Sequence, residues 1–361
     1  MKILHVITSL LTGGAEKLVI DLVPKLREIG HEVDIAVFNA NEMPLLSLLQ
    51  QRCPECKVHE LGHSFYHPSL IFKLRKVMKG YDIVHTHNSS PQLYAAIANI
   101  GLRKGLVTTE HSTNNRKREH KKYSWTDKWM YKRYGKVIAI SDVARDKLLE
   151  YLEWPAVNEK VITINNGVDV ELFHKAPPAD DKQLGFSRGR RFVVVMVAGF
   201  RKAKDQDTIV RAMLHLPKEK FELWLVGIGE REPEVKKLVQ DLNLSNYVRF
   251  LGLRQDVANI LRTADAVIMS SHWEGLSLSN IEGMSTGKPF IASNVNGLKE
   301  VTTGYGILFP HEDDQTLAAI LLKLSSDKEY YDEIAERCYQ RAKQYDLSRM
   351  VEQYDKVYKE L

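Results

Sequence analysis

The sequence predicts an α/β protein made of two parallel-sheet domains. Three observations predict it. Short apolar runs alternate with segments of helical spacing, the alternation breaks once at 174–191, and it then resumes in the same rhythm. Strands buried on both faces by crossover helices read as continuous apolar runs, which is what these are.

The first run, 3–7, ends in a Gly-bearing turn. Leu18, Val19, Leu22, Leu26 and Ile29 then recur at helical spacing until Gly30 stops the helix. Further strands are expected at 33–38, 83–85, 106–109, 137–140 and 161–164. The break holds Pro177, Pro178, Asp180, Asp181, Gly185, Gly189 and clustered arginines, and reads as an interdomain linker. The second alternation has strands at 192–198, 221–226, 248–251, 266–269 and 289–292. The expected domains are therefore 1–175 and 190–344, with an amphipathic helix in 345–361 packing back on the first. Two such units imply a cleft between them, where ligands of these folds bind.

With 361 residues, 44% of them hydrophobic and 27% charged, the chain can bury two ordinary cores. MKILHVITSL offers one Lys before a short apolar run, and Thr12, Gly13, Gly14 and Glu16 stand where a signal peptide would be cleaved. It reads as a strand instead. No stretch reaches the roughly 18–20 apolar residues that span a bilayer, so a cytoplasmic protein is expected. Cys53-Pro-Glu-Cys56 has no second Cys or His pair to complete a zinc site, and it opens no helix after a strand. The three cysteines read as reduced thiols.

The net charge of +5 favours anionic ligands without calling for nucleic acid. Arg116, Lys117, Arg118, Lys121, Lys122, Lys128, Lys132, Arg133 and Lys136 crowd 116–136 and alternate with Tyr123, Trp125, Trp129, Tyr131 and Tyr134. Two readings stand: contact with an anionic membrane surface, or a solvated helix whose aromatic residues face the core.

The most informative stretch is 270–292, Ser-Ser-His-Trp-Glu-Gly-Leu-Ser-Leu-Ser-Asn-Ile-Glu-Gly and onward. It lies between two strands, so it begins as a loop at the carboxyl end of the sheet, with a helix expected from about 277–279. The free N–H groups of a helix start suit a phosphate. Glu274 in the loop and Glu282 in the first helical turn suit hydroxyl-rich ligands, because carboxylates accept paired hydrogen bonds. Ser279-Asn-Ile-Glu282 equally fits a capping box, in which Glu282 only satisfies a backbone amide.

This segment resembles the E-x7-E signature of retaining glycosyltransferase family 4. Other segments are similar in order and position: Thr12-Gly-Gly-Ala-Glu16, Asp82-Ile-Val-His-Thr-His87, Thr109-Glu-His111, Ile138-Ala-Ile-Ser141, Asn166-Gly-Val-Asp169, Leu225-Val-Gly-Ile-Gly-Glu230, Phe250-Leu-Gly252 and Ala264-Asp-Ala266. The resemblance covers nearly the whole chain. It implies the GT-B fold, two facing Rossmann-like domains, and transfer from a nucleotide-sugar donor to a glycan or lipid-linked acceptor, with no metal or other cofactor.

Carried over by position, the resemblance assigns Glu282 to the donor ribose and Glu274 to the transferred sugar. It assigns the amides around Gly275, Leu276 and Ser277 to the diphosphate. Gly13 and Gly14 form the first glycine loop, His111 ends a strand facing the donor, and Arg254 stacks on the base. The family places an Arg and, five residues later, a Lys after the first strand of the second domain. Here Lys204 is in register, the Arg position is Gly199, and Arg201 stands two residues on. Asp205-Gln-Asp207 has metal-binding D-x-D spacing but reads as a helix opening.

A sugar-nucleotide 2-epimerase of the same outline and a non-catalytic sugar-binding protein are the competing readings. A nicotinamide-dependent oxidoreductase lacks its glycine fingerprint here.

Overall fold

The computed structural model describes residues 1–11, 13–111, 124–153, 159–187, 189–274 and 278–361. Gly275, Leu276, Ser277, Thr12 and 116–123 of the basic segment lie outside them. The chain forms two compact units, Met1–Gly167 with Leu347–Leu361, and Val168–Asp346.

The first unit contains strands β1 (Lys2–Ile7), β2 (Glu32–Val37), β3 (Val58–Glu60), β4 (Ile83–His87), β5 (Gly105–Glu110), β6 (Lys136–Ala139) and β7 (Val161–Thr163). They form one parallel sheet ordered β3-β2-β1-β4-β5-β6-β7. Ile3 and Ile7 of β1 enter one apolar cluster and Leu4 and Val6 the other, as the two-residue period of a strand requires.

The last helix, Leu347–Lys359, belongs to this unit. Leu347, Met350, Val351, Tyr354, Val357 and Tyr358 recur at helical spacing and are buried against the helix Gly14–Glu28 and the sheet. Burying such side chains is worth roughly 1.5–3 kcal/mol each. The sum rivals the ~5–15 kcal/mol net stability of a domain, which makes this helix integral to the first unit.

The second unit contains β8 (Phe192–Val197), β9 (Phe221–Val226), β10 (Val248–Gly252), β11 (Ala266–Met269), β12 (Phe290–Ser293) and β13 (Ile307–Phe309). The sheet is again parallel, ordered β10-β9-β8-β11-β12-β13. In both sheets the strand order reverses beside the first strand, the doubly wound pattern of nucleotide-binding folds.

Residues 174–191, expected as the linker, lie inside the second unit, and the chain crosses at Gly167–Val168 instead. Phe173, Ala179 and Leu184 join its core. Asp180 caps the short helix Asp181–Leu184 in a capping box, and Gly185 ends it at φ 77°. The Pro, Asp and Gly of this stretch are turn and cap chemistry within a domain.

Candidate active site

In the second unit β8 and β11 lie side by side at the switch point, so the loops leaving their carboxyl ends border the place where such sheets bind ligands. The two loops are zipped together. Lys204 bridges Ser271, the His272 amide donates to the Ala203 carbonyl at 2.9 Å, and the Asp205 amide donates to the Ser270 carbonyl at 3.1 Å. This brings two of the expected residues into contact. The Lys204 ammonium forms an ion pair with the Glu274 carboxylate, their side chains 15% and 18% exposed, and lies 3.5 Å from the Met269 sulfur. At that burial the pair matters far more than a solvated surface bridge would.

Asp205 caps the helix Gln206–Ala212, accepting from the Thr208 amide at 3.1 Å and from the Ser270 hydroxyl at 3.1 Å. Asp207 pairs with Arg231 at 2.8 Å. The D-x-D carboxylates are thus engaged by protein donors.

Arg231 was not singled out in the sequence. Its guanidinium reaches the Lys204 carbonyl at 3.3 Å and its amide the Phe200 carbonyl at 3.1 Å, so it props the loop that carries Lys204. The available signal was Gly227-Ile-Gly229. A Cβ at Gly229 would sit 2.3 Å from the Phe200 carbonyl oxygen, and one at Gly227 (φ 138°) 2.3 Å from that of Ala198. Only glycines let the loop after β9 approach the loop after β8 so closely.

Arg201 is exposed, and its side chain folds back over Gly199. A Cβ at Gly199 would lie 3.6 Å from the Arg201 Nε.

The helix after β11 runs Leu278–Ser285 and carries Glu282, which is buried. Ser279 lies inside this helix, so it is not the N-cap and the capping-box reading fails. Glu282 accordingly falls in the second turn, not the first. Gly283 seats the helix on the sheet: a Cβ there would be 2.8 Å from Val267 and 2.9 Å from Phe290.

Arg254 is held by Asp256 through Nε at 2.8 Å and Nη2 at 2.7 Å, and it also donates to the Gln183 carbonyl. The hydrogen bond raises the Arg254 pKa and lowers that of Asp256.

In the first unit, Gly13 precedes the helix Gly14–Glu28. The Glu16 carboxylate sits over it, 2.3 Å from where a Gly13 Cβ would be, whereas nothing lies within 4 Å of one at Gly14. Burial raises the Glu16 pKa, opposed by hydrogen bonds to a backbone amide and to Asn88. His111 follows β5 and is half-buried, with its Nε2 2.9 Å from the His87 Nδ1. Burial lowers its pKa to about 4.

Of the basic segment, the helix Ser124–Lys132 and the two residues after it split their aromatic side chains between the two readings. Tyr131 and Tyr134 are in the core, Trp125 is 78% exposed, and Arg133 lies 4.2 Å over the Trp129 ring. Cys53, Cys56 and Cys338 are free and buried, and desolvation raises the pKa of each.

Two groups among the described residues have donor atoms close enough for a metal, His5–His85–His87 and Asp205–His272–His311, within 4.8 Å in each. In the first, the His5 Nδ1 faces the His87 Nε2 at 2.9 Å and both His85 nitrogens are engaged by hydroxyls. The His272 Nδ1 and His311 Nε2 are 2.9 Å apart with ring centres 5.1 Å apart, so both nitrogens lie near the line of centres. Among the described residues no helix is long and apolar enough to cross a membrane.

Comparison with known proteins agrees over the whole chain. The pattern of the family described as Glycosyltransferase Family 4 matches residues 12–172, and that of Glycosyl transferases group 1 matches 179–345. The chain is 31% identical over 275 residues to UDP-Gal:alpha-D-GlcNAc-diphosphoundecaprenol alpha-1,3-galactosyltransferase of Escherichia coli, 72% of this chain and 70% of that one. It is 27% identical over 370 residues to N-acetyl-alpha-D-glucosaminyl L-malate synthase of Bacillus anthracis, 96% of this chain and 93% of that one. The structure of Anabaena HepE in complex with UDP superposes with a TM-score of 0.84 at 24% identity, covering 100% of both chains. With its two parallel sheets, the chain has the GT-B fold and belongs to glycosyltransferase family 4, the enzymes that transfer a sugar from a nucleotide-sugar donor.

Proposed function

We propose that the chain is a retaining, metal-independent hexosyltransferase that uses a UDP-sugar and a hydroxyl on a glycan or lipid-linked acceptor. The observation that carries this is the Lys204–Glu274 ion pair at the switch point of the second sheet, with Arg201 folded over Gly199 beside it. A cation there stabilises the charge that develops on a departing diphosphate, and a carboxylate next to it takes sugar hydroxyls. The UDP-galactose named for the Escherichia coli relative, and its diphosphoundecaprenol acceptor, support the donor and acceptor classes.

In this reading Glu282 holds the ribose and Glu274 the sugar, while the amides of Gly275, Leu276 and Ser277 meet the diphosphate. Lys204 and Arg201 neutralise the leaving group. Arg254, fixed by Asp256, stacks on the base. In the first unit, Gly13 and Gly14 are assigned to the donor and His111 to its sugar. The C1–O bond to the diphosphate breaks, the acceptor oxygen bonds to C1 on the same face, and its proton passes to a diphosphate oxygen. No protein nucleophile takes part. The enzyme works at the cytoplasmic face of a membrane, docked through 116–136, where its lipid-linked acceptor resides.

A thermal-shift screen against UDP-, GDP-, ADP- and CMP-sugars tests the donor, since a ligand that binds only the folded state raises the melting temperature. Stabilisation by a UDP-sugar, followed by transfer to a polyprenyl-diphosphate-linked saccharide, is expected. If no UDP compound stabilises the protein, the donor assignment is wrong. Conversion of a UDP-sugar to its 2-epimer with no acceptor present would replace transfer with epimerisation.

A further inference from the structure

Three histidines in the first unit form a continuous hydrogen-bonded row. The β1–β4 register sets His5 opposite His85, and His87 follows on the same face of β4. His111 lies one residue beyond β5, whose Thr109 pairs with His87. His5, His85 and His87 are fully buried.

Within the row the His5 Nδ1 is 2.9 Å from the His87 Nε2, and the His87 Nδ1 is 2.9 Å from the His111 Nε2. The ring centres are 5.2 and 5.1 Å apart, so in both contacts the nitrogens meet edge to edge, close to the line of centres. His85 stacks on His87 but stands outside the row. Its own nitrogens are taken by the Tyr358 hydroxyl at 2.6 Å and the Thr109 hydroxyl at 2.8 Å.

Burial keeps these rings neutral at pH 7. It lowers His5 to about 3 and His111 to about 4, and holds His87 well below its ordinary value. A neutral imidazole has one N–H and one bare nitrogen. Two N–H···N bonds in series therefore have only two consistent arrangements. In the first, all three rings carry the proton on Nδ1: His5 donates to His87, His87 donates to His111, and the His111 Nδ1–H is left over at the end of the row. In the second, all three carry it on Nε2, and the leftover N–H is that of His5.

The buried end decides between them. The His5 Nε2 is inaccessible to solvent and has no hydrogen-bond partner among the described residues. A buried N–H without an acceptor is rarer in proteins than an acceptor without a donor. The first arrangement leaves only a bare nitrogen there. The two bonds also polarise each other, so the row holds one arrangement as a unit.

We propose that this row fixes His111 as the Nδ1–H tautomer. The ring then presents a hydrogen-bond donor to an oxygen acceptor such as a sugar hydroxyl, and His5, two rings away, is a positioning residue. His111 in this state has no free lone pair to take a proton and is not a general base. Only the identity of the acceptor oxygen rests on the function proposed above. The tautomer does not.

The test uses the full chain labelled with 15N-histidine at pH 7.5, with His111 assigned by its absence in His111→Gln. Long-range 1H–15N correlation reads which nitrogen of each ring is protonated, and a scalar coupling across each N–H···N contact reports the bond itself. The expected result is Nδ1 protonation of His5, His87 and His111, with couplings from the His5 to the His87 ring and from the His87 to the His111 ring. A proton on Nε2 of any of the three overturns the proposal. His5→Asp, as its carboxylate, supplies only an acceptor at the buried end, and with His87 neutral is expected to reverse both bonds and move the His111 proton to Nε2. A folded His5→Asp protein in which His87 carries a single proton and the His111 tautomer is unchanged removes the positioning role. If that variant does not fold, the wild-type tautomers and couplings still decide. No donor or acceptor is present in the sample, so a failed donor screen leaves this result untouched.

Discussion

Lys204 pairs with Ser271 through the backbone, and this one bridge between loops far apart in sequence sets the Lys204 ammonium against the Glu274 carboxylate. The ion pair is a product of loop architecture. Arg231 props the loop that carries Lys204, and the Gly227-x-Gly229 turn packs closely on Ala198 and Phe200 of that loop.

Lys204→Ala is expected to lower kcat by on the order of 100- to 1000-fold, the usual cost of removing one group that stabilises developing negative charge. Glu282→Ala is expected instead to weaken donor binding by about 10- to 100-fold, as the loss of charge-assisted hydrogen bonds to hydroxyls does. Steady-state kinetics with calorimetric donor titration separates the two. Full activity in both variants would refute the site.

Arg201 folds over Gly199, the position to which the resemblance assigns an arginine. Arg201→Ala should therefore reduce kcat, and adding Gly199→Arg to it should restore most of the loss. The space at Gly199 permits this, the nearest backbone atom to a Cβ there being the Ile228 oxygen at 3.4 Å. A double variant no better than Arg201→Ala would mean that the two positions are not equivalent.

The histidine row predicts a pH dependence of stability. Unfolded imidazoles take up a proton near pH 6.5, whereas His111 does so only at about 4 and His5 at about 3. Between those values the unfolded chain binds more protons, so stability falls as the pH drops, by up to about 1.4 kcal/mol per pH unit for each such histidine. Above pH 6.5 these groups contribute no slope. Urea midpoints measured from pH 8 to 4 should be level and then decline. A flat profile down to pH 5 would contradict the assignment.

Gly283→Val drives a branched side chain into Val267 and Phe290 and should cost about 1–3 kcal/mol from overpacking, read as a lower melting temperature. Because the same helix carries Glu282, donor affinity should fall with it. Wild-type donor affinity in a destabilised variant would uncouple that helix from the site.

For the basic segment, co-sedimentation with vesicles containing anionic phosphatidylglycerol should be strong at low salt and weak at high salt. Trp125→Ala with Lys128→Glu and Lys132→Glu should abolish it. Equal binding to neutral vesicles would exclude the electrostatic part of this contact.

Most strands were legible because buried parallel strands are apolar without interruption. β3 and β13 were missed: Val58–Glu60 reads Val-His-Glu, with one apolar residue, and Ile307–Phe309 is a short run set between Gly306 and Pro310. The stretch 174–191 misled because its Pro, Asp and Gly residues mark turns equally well inside a domain, and the sparse Phe173, Ala179 and Leu184 that anchor it follow no period. Glu274, Glu282 and Lys204 stand out in the sequence by motif, and the structure brings Lys204 and Glu274 into contact. Arg231 does not stand out, because its role depends on two loops meeting, which no local pattern encodes. The histidine row was hidden for the same reason: His5, His87 and His111 become neighbours only through the pairing of β1, β4 and β5.

The helix Leu347–Lys359 places a constraint on how the protein is made. During synthesis the ribosome releases residues 1–167 before 168–346, yet that unit lacks six of its buried side chains, and the Tyr358 hydroxyl that holds His85, until residues 347–359 emerge. The second unit, contiguous from Val168 to Asp346, can complete its core before the first one does. The first unit to leave the ribosome is then the second able to finish its core, and the contact that pins His85, the ring stacked on His87, waits for Tyr358.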